Sequence, residues 1–197
     1  MMAESPAARA AAVREAAVRH APRHNRLLRS AEDGKRLSDM MLPFFLLRPP
    51  TGFGVLTTLG RRTGKARRKC VRMVQRGDEV FLVQLLPPAV AIVRPDAVAA
   101  WLWNIRAEPR VLVRLPSGTF TGVAREITDP AELRRAREVL CETVDPFDYA
   151  ECAAHLRGLP SRKKVKELRR YWFDTGNPLV IELTGRRGPA LRASGPS

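Results

Sequence analysis

The sequence predicts an α+β fold: a small barrel of about six mainly antiparallel strands, with helices at its rim and an N-terminal helical arm. Three observations predict it. Short runs rich in β-branched and aromatic residues begin at position 52 and are separated by tight Gly- and Pro-bearing turns. Helical segments precede these runs and are inserted between them. The 197 residues, 45% of them hydrophobic, suffice for one buried core and do not require a second. A sandwich satisfies the same pattern, and the strand signals alone do not separate the two.

The elements follow in order. Residues 3–21 are Ala-dense and predict a helix that ends before Pro22; a second is expected over 33–42, ending near Pro43. The apolar segment 40–47, flanked by Arg36 and Arg48, suits core, a lid over a pocket, or contact with an anionic membrane. Pro49-Pro50 closes this arm. Strands are expected at 53–59, 69–75 and 79–86, joined by turns at 60–64 and 76–78. Pro87-Pro88 breaks the sheet, and 96–105 predicts a helix with Trp101 and Ile105 on one face. Strands at 111–115 and 119–126 flank a Pro-Ser-Gly turn. Pro130 opens a helix to 141, with Leu133, Ala136, Val139 and Leu140 on one stripe. Helices at 145–156 and 162–173 and a last strand at 179–183 complete the pattern. The expected division is an arm over 1–50, a cofactor-binding barrel over 51–184 and a disordered tail over 185–197.

Thirty-five Lys+Arg against twenty Asp+Glu leave a net charge of +15, which points to an anionic partner. The positive charge is densest at Arg61-Arg62-Thr63-Gly64-Lys65-Ala66-Arg67-Arg68-Lys69, which holds six cations and no acid. Glycines at 60 and 64 allow the backbone to approach a ligand and aim N–H groups at it. Guanidinium groups add paired donors that fit phosphate or carboxylate. A strand follows this turn, so it is not the phosphate loop of nucleotide hydrolases. A non-catalytic binder of nucleic acid or anionic lipid is an alternative reading of this charge, but the aromatic residues that single-stranded nucleic acid needs are missing from 61–76, which argues against a nucleic-acid partner. Cys70, Cys141 and Cys152 form no CxxC pair and fit buried thiols in a reduced, cytoplasmic setting. His20, His24 and His155 are too scattered along the chain to suggest a metal site. No signal peptide or membrane span is expected.

Four segments carry a resemblance. Gly54-Val55-Leu56-Thr57-Thr58-Leu59-Gly60-Arg61-Arg62-Thr63-Gly64-Lys65-Ala66-Arg67 resembles the leading motif of the deazaflavin-dependent nitroreductase family. Trp101-Leu102-Trp103-Asn104 running into Ala107-Glu108-Pro109-Arg110-Val111 resembles its second motif. Ala124-Arg125-Glu126-Ile127-Thr128-Asp129-Pro130 and Asn177-Pro178-Leu179-Val180-Ile181-Glu182-Leu183 resemble the third and the closing strand. The resemblance implies a split β-barrel like that of flavin-binding proteins. It also implies an oxidoreductase that transfers a hydride between coenzyme F420 and a small acceptor such as a quinone, nitroaromatic or enone. That cofactor bears a phosphate and an oligoglutamate tail. By the same resemblance Arg61, Arg62, Thr63, Gly64, Lys65 and Arg67 would hold phosphate and tail, and Trp101 and Asn104 would line the cofactor groove. Phe147 and Tyr149 would face the substrate, with Tyr149 as a proton donor. Pairing as a homodimer is expected by analogy. Where the family often carries a Ser-x-Gly-Gly turn, this chain reads Gln84-Leu85-Leu86-Pro87-Pro88-Ala89-Val90. That departure keeps FMN, or no cofactor at all, open as alternatives. Haem ranks last, because no axial ligand stands out.

Overall fold

The computed structural model describes residues 5–25 and 30–187. Helix α1 (Pro6–His20) runs into a 3-10 turn (Ala21–Arg23) and is followed by α2 (Ala31–Leu47). The barrel comprises β1 (Phe53–Leu59), β2 (Ala66–Arg72), β3 (Val74–Arg76), β4 (Glu79–Gln84), β5 (Arg110–Leu115), β6 (Gly118–Glu126) and β7 (Asn177–Arg187). Between the strands lie α3 (Pro88–Val93), α4 (Ala100–Ala107), α5 (Pro130–Glu142), α6 (Pro146–His155) and α7 (Arg162–Thr175).

All pairings between these strands are antiparallel, in the order β2-β1-β5-β6-β7-β4-β3. The two edges of that sheet, β2 and β3, are separated only by Met73. One bent strand therefore pairs with β1 by its first half and with β4 by its second, and the chain itself closes the barrel. This decides for a split barrel over a sandwich, and it counts β2 and β3 as the single returning strand that the sequence predicts. The bend is pinned where the Met73 N–H donates to the Gly52 carbonyl at 2.8 Å. A Cβ on Gly54 would collide with the Arg114 carbonyl and the Met73 side chain, so glycine is what lets the strands approach there.

Side-chain alternation sorts the two sheet faces. Leu56, Val80, Leu82, Val113, Leu179 and Ile181 point into the barrel, whose core also takes Leu102 and Ile105 from α4. Phe81 and Val180 point outward and are covered by Ala136 and Leu140 of α5 and Phe173 of α7. On another side, Phe45 of α2 meets Phe53 and Phe147 edge-on, with ring centroids 6.2 and 5.7 Å away.

Two expectations are corrected. Helix α2 does not stop at Pro43 but continues to Leu47. Pro43 is exposed, so water can meet the carbonyl it leaves unbonded, and the burial of Phe45 holds the last turn in place. The break at Pro87-Pro88 is also a start: Pro88 occupies the first turn of α3, where a missing N–H costs nothing. Pro88 and Ala91 are buried, and Ala91 packs with Val13 and Ala17 of α1. The last strand continues through Arg187, and the remainder of the expected tail, 188–197, lies outside the described residues.

Candidate functional site

The cationic turn joins β1 to β2. Its backbone closes on itself: Gly60 N–H donates to the Lys65 carbonyl (2.9 Å), and the Thr63 and Gly64 N–H groups both reach the Gly60 carbonyl (3.0 and 2.7 Å). Lys65 N–H is shared with Thr63 Oγ1 at 3.4 Å, and Arg61 N–H goes to Asn104 Oδ1 at 3.1 Å. Gly64 has φ +63°, a conformation that favours glycine. These amides are thus used inside the fold and are not aimed at a ligand as the sequence reading expects. Binding falls to the side chains.

Those side chains are available. Arg61, Arg62, Lys65, Arg67 and Arg68 are all exposed, and among the described residues none pairs with a carboxylate. Lys69 differs: its Nζ donates to the Gly34 carbonyl of α2 at 2.7 Å, and burial lowers its pKa. Elsewhere on the surface many arginines have found acids, as Arg106 has Glu126 and Arg125 has Glu132. Five unpaired like charges in eight residues repel one another, and a polyanion relieves that repulsion.

Asn104, expected in the cofactor groove, is buried and serves as a tie. It accepts from Arg61 N–H and donates to Thr58 Oγ1 at 3.2 Å, fixing α4 against the end of β1. Trp101 is half-buried and packs against the barrel core. Trp103, which sequence reasoning passed over, is the tryptophan beside the turn: the Arg61 guanidinium lies 5.4 Å from its ring centroid. Phe147 and Tyr149 do not share a face. Phe147 sits 4.8 Å from the Phe53 ring, whereas Tyr149 packs in the α6–α7 cluster with Cys152, Leu168 and Trp172. A cavity of about 220 Å³ opens elsewhere, lined by Arg9 and Val13 of α1, Leu133 of α5 and Phe173 of α7. It does not adjoin the cationic turn.

The fold and these unpaired charges define a split-barrel protein with an open, strongly cationic turn between its first two strands. The family model for F420H(2)-dependent quinone reductases matches residues 48–157, and the chain belongs to that family. It is an oxidoreductase that works with coenzyme F420, and a quinone fits as its acceptor. The matched stretch contains the turn, α4 and most of the barrel.

Three solved structures are similar at low identity. An F420-H2-dependent reductase, FDR-A, is 15% identical, with 66% of this chain and 94% of that one covered and a TM-score of 0.45. A 5-nitroimidazole antibiotic resistance protein from Bacteroides thetaiotaomicron, so described only provisionally, is 11% identical over 74% and 80%, at 0.43. HutZ, the haem storage protein of Vibrio cholerae, is 14% identical over 76% and 90%, at 0.41. No curated relative matches the sequence. The family match alone carries the assignment.

The donor set fits an anionic cofactor: several free guanidinium and ammonium groups suit a phosphate and a chain of carboxylates. The segment 85–93 offers no polar side chain to a ring, since it reads Leu-Leu-Pro-Pro-Ala-Val-Ala-Ile-Val.

Proposed function

We propose that this protein reduces quinones with F420H2 and that the turn 60–68 holds the anionic end of the cofactor. The observation that carries this is the set of five unpaired cations inside a stretch matching an F420H(2)-dependent quinone reductase family. When bound, reduced coenzyme F420 supplies a hydride, and a quinone takes it with one proton to become a quinol. Arg61, Arg62, Lys65, Arg67 and Arg68 bind the negative charges, and Asn104 fixes the turn. The barrel's part is placement and exclusion of water. Tyr149 is the proposed proton donor on the strength of the family resemblance alone; it stands on α6, inside the matched stretch, and is half-buried. The substitution Tyr149→Phe keeps the packing and removes the donor; a variant with undiminished kcat discards that role.

The experiment is turnover. Wild-type protein mixed with F420H2 and a soluble quinone should restore the fluorescence of oxidised F420, while reduced FMN should be a poor substitute. No turnover with any quinone sinks the proposal.

Peripheral contact with an anionic membrane is a second proposal. Met40, Phe44 and Leu47 form an exposed apolar stripe on α2, and among the described residues no helix is long and apolar enough to cross a membrane. Co-sedimentation with phosphatidylglycerol vesicles tests it; a sizing profile that shows a dimer insensitive to vesicles would instead assign the stripe to a second copy. A cytoplasmic setting is consistent with three free cysteines.

A further inference from the structure

Trp103 lies on α4 beside the cationic turn. On α4 its neighbours Leu102, Asn104 and Ile105 are buried, yet Trp103 itself is 40% exposed. A single exposed aromatic is ordinary on a protein surface; what sets this one apart is its two guanidinium neighbours. The guanidinium carbon of Arg106 lies 4.7 Å from the indole centroid and that of Arg61 lies 5.4 Å away, both within cation–π range.

The two arginines are not equivalent. Arg106 grips Glu126 through two parallel hydrogen bonds of 2.8 Å, which neutralise it and fix it beside the ring. Among the described residues Arg61 has no carboxylate partner. Its backbone, however, is bonded to Asn104 at 3.1 Å, the residue next to Trp103. Arg61 is therefore held at both ends by adjacent residues of one helix, amide by Asn104 and guanidinium by Trp103, while its charge stays uncompensated. Arg62, Lys65, Arg67 and Arg68 have no comparable support among the described residues.

We propose that Trp103 is a positioning residue: its indole face holds the Arg61 guanidinium ready for an anionic group of the cofactor. The inference rests on the reading of the turn as the anion site and adds an internal order to it. Arg61 is the preorganised contact, and the other cations are ordered only when the ligand arrives. Ordering a free arginine on binding costs side-chain entropy, and an arginine already stacked has lost that freedom before the ligand comes.

A double-mutant cycle tests this, with the dissociation constant of oxidised F420 read by fluorescence titration at low salt. Arg61→Ala should weaken binding about tenfold or more. Trp103→Leu, which keeps apolar bulk and removes the ring, should weaken it about threefold when Arg61 is present and not at all when Arg61 is alanine. Trp103→Phe should recover most of the loss, which a merely structural role for the indole does not predict. Thermal midpoints taken alongside confirm that each variant is folded. If Arg61→Ala binds like wild type, or if wild type does not bind, the reading of the turn fails and takes the inference with it. If Arg61→Ala weakens binding but Trp103→Leu costs nothing, or costs the same in both backgrounds, the turn stands and the positioning role is overturned.

Discussion

Asp148 is fully buried at the start of α6, between two buried arginines from different elements. Arg72, the last residue of β2, donates to it through Nε at 2.9 Å and also caps the carbonyls of Leu140 and Thr143 at 3.1 and 2.8 Å. Arg169 of α7 pairs with Asp148 and with Glu151. Burial alone would raise the Asp148 pKa, but the Arg169 charge and the Arg72 hydrogen bond outweigh it and hold the carboxyl below its usual range. Removing the Asp148 charge leaves buried Arg72 without a carboxylate partner and Arg169 with Glu151 alone. Asp148→Asn should therefore cost about 3–5 kcal/mol of stability, seen as a lower denaturant midpoint. A loss below about 1 kcal/mol would mean that the arginines relax to solvent. The sequence does not reveal this cluster, because its members stand 76 and 21 residues apart and each reads as a surface charge. Trp103 escaped for a related reason. Periodicity puts Trp101 and Ile105 on one face, and that face meets the barrel core, but which residue faces the turn depends on how α4 docks against β1.

At the level of elements, strands and hairpin turns were legible and docking was not. The first strand matches its expected limits, 53–59, because β-branched residues between two glycines leave little alternative. The N-terminal arm shows what local signals miss. His155, remote in sequence from His20 and His24, meets them at one junction of α1, α6 and α7. His20 stacks on Tyr171 at 4.2 Å, His24 lies 6.5 Å from His155, and His155 meets Trp172 edge-on at 4.7 Å. Among the described residues no group of three or more His, Cys, Asp or Glu could hold a metal ion. The charges nearby are Arg19, Arg23 and Glu167 around His20, and Glu151 and Arg169 around His155. Burial, chiefly, pushes His24 and His155 down to about 4 and lowers His20 as well. The unfolded chain, with histidines near 6.5, binds more protons between those values. Stability is thus full above about pH 6.5 and declines as pH falls towards 4. The thermal midpoint should drop by about 3–8 °C between pH 7 and pH 5. A midpoint unchanged over that range would show that the imidazoles are open to water.

For the whole molecule, the net charge of +15 is unevenly spent. Much of the arginine is tied into ion pairs on the helices and outer strands, while the turn between β1 and β2 keeps its cations unpaired. The barrel explains why they stay together: β2 is an edge strand paired to rigid β1, so Arg67 and Arg68 cannot move away from Arg61 and Arg62. Composition and spacing made this turn visible in the sequence, since six cations in nine residues survive any choice of fold. That its amides bond internally, and that α4 anchors it, only coordinates could supply. The most direct measurement is titration of the wild-type protein and the Arg61→Ala/Arg67→Ala variant with oxidised F420, at low and at high salt. Wild-type binding should weaken as salt rises, and the variant should lose about 1–3 kcal/mol per charged contact removed. Equal affinities for the two proteins, insensitive to salt, would contradict the assignment of the turn.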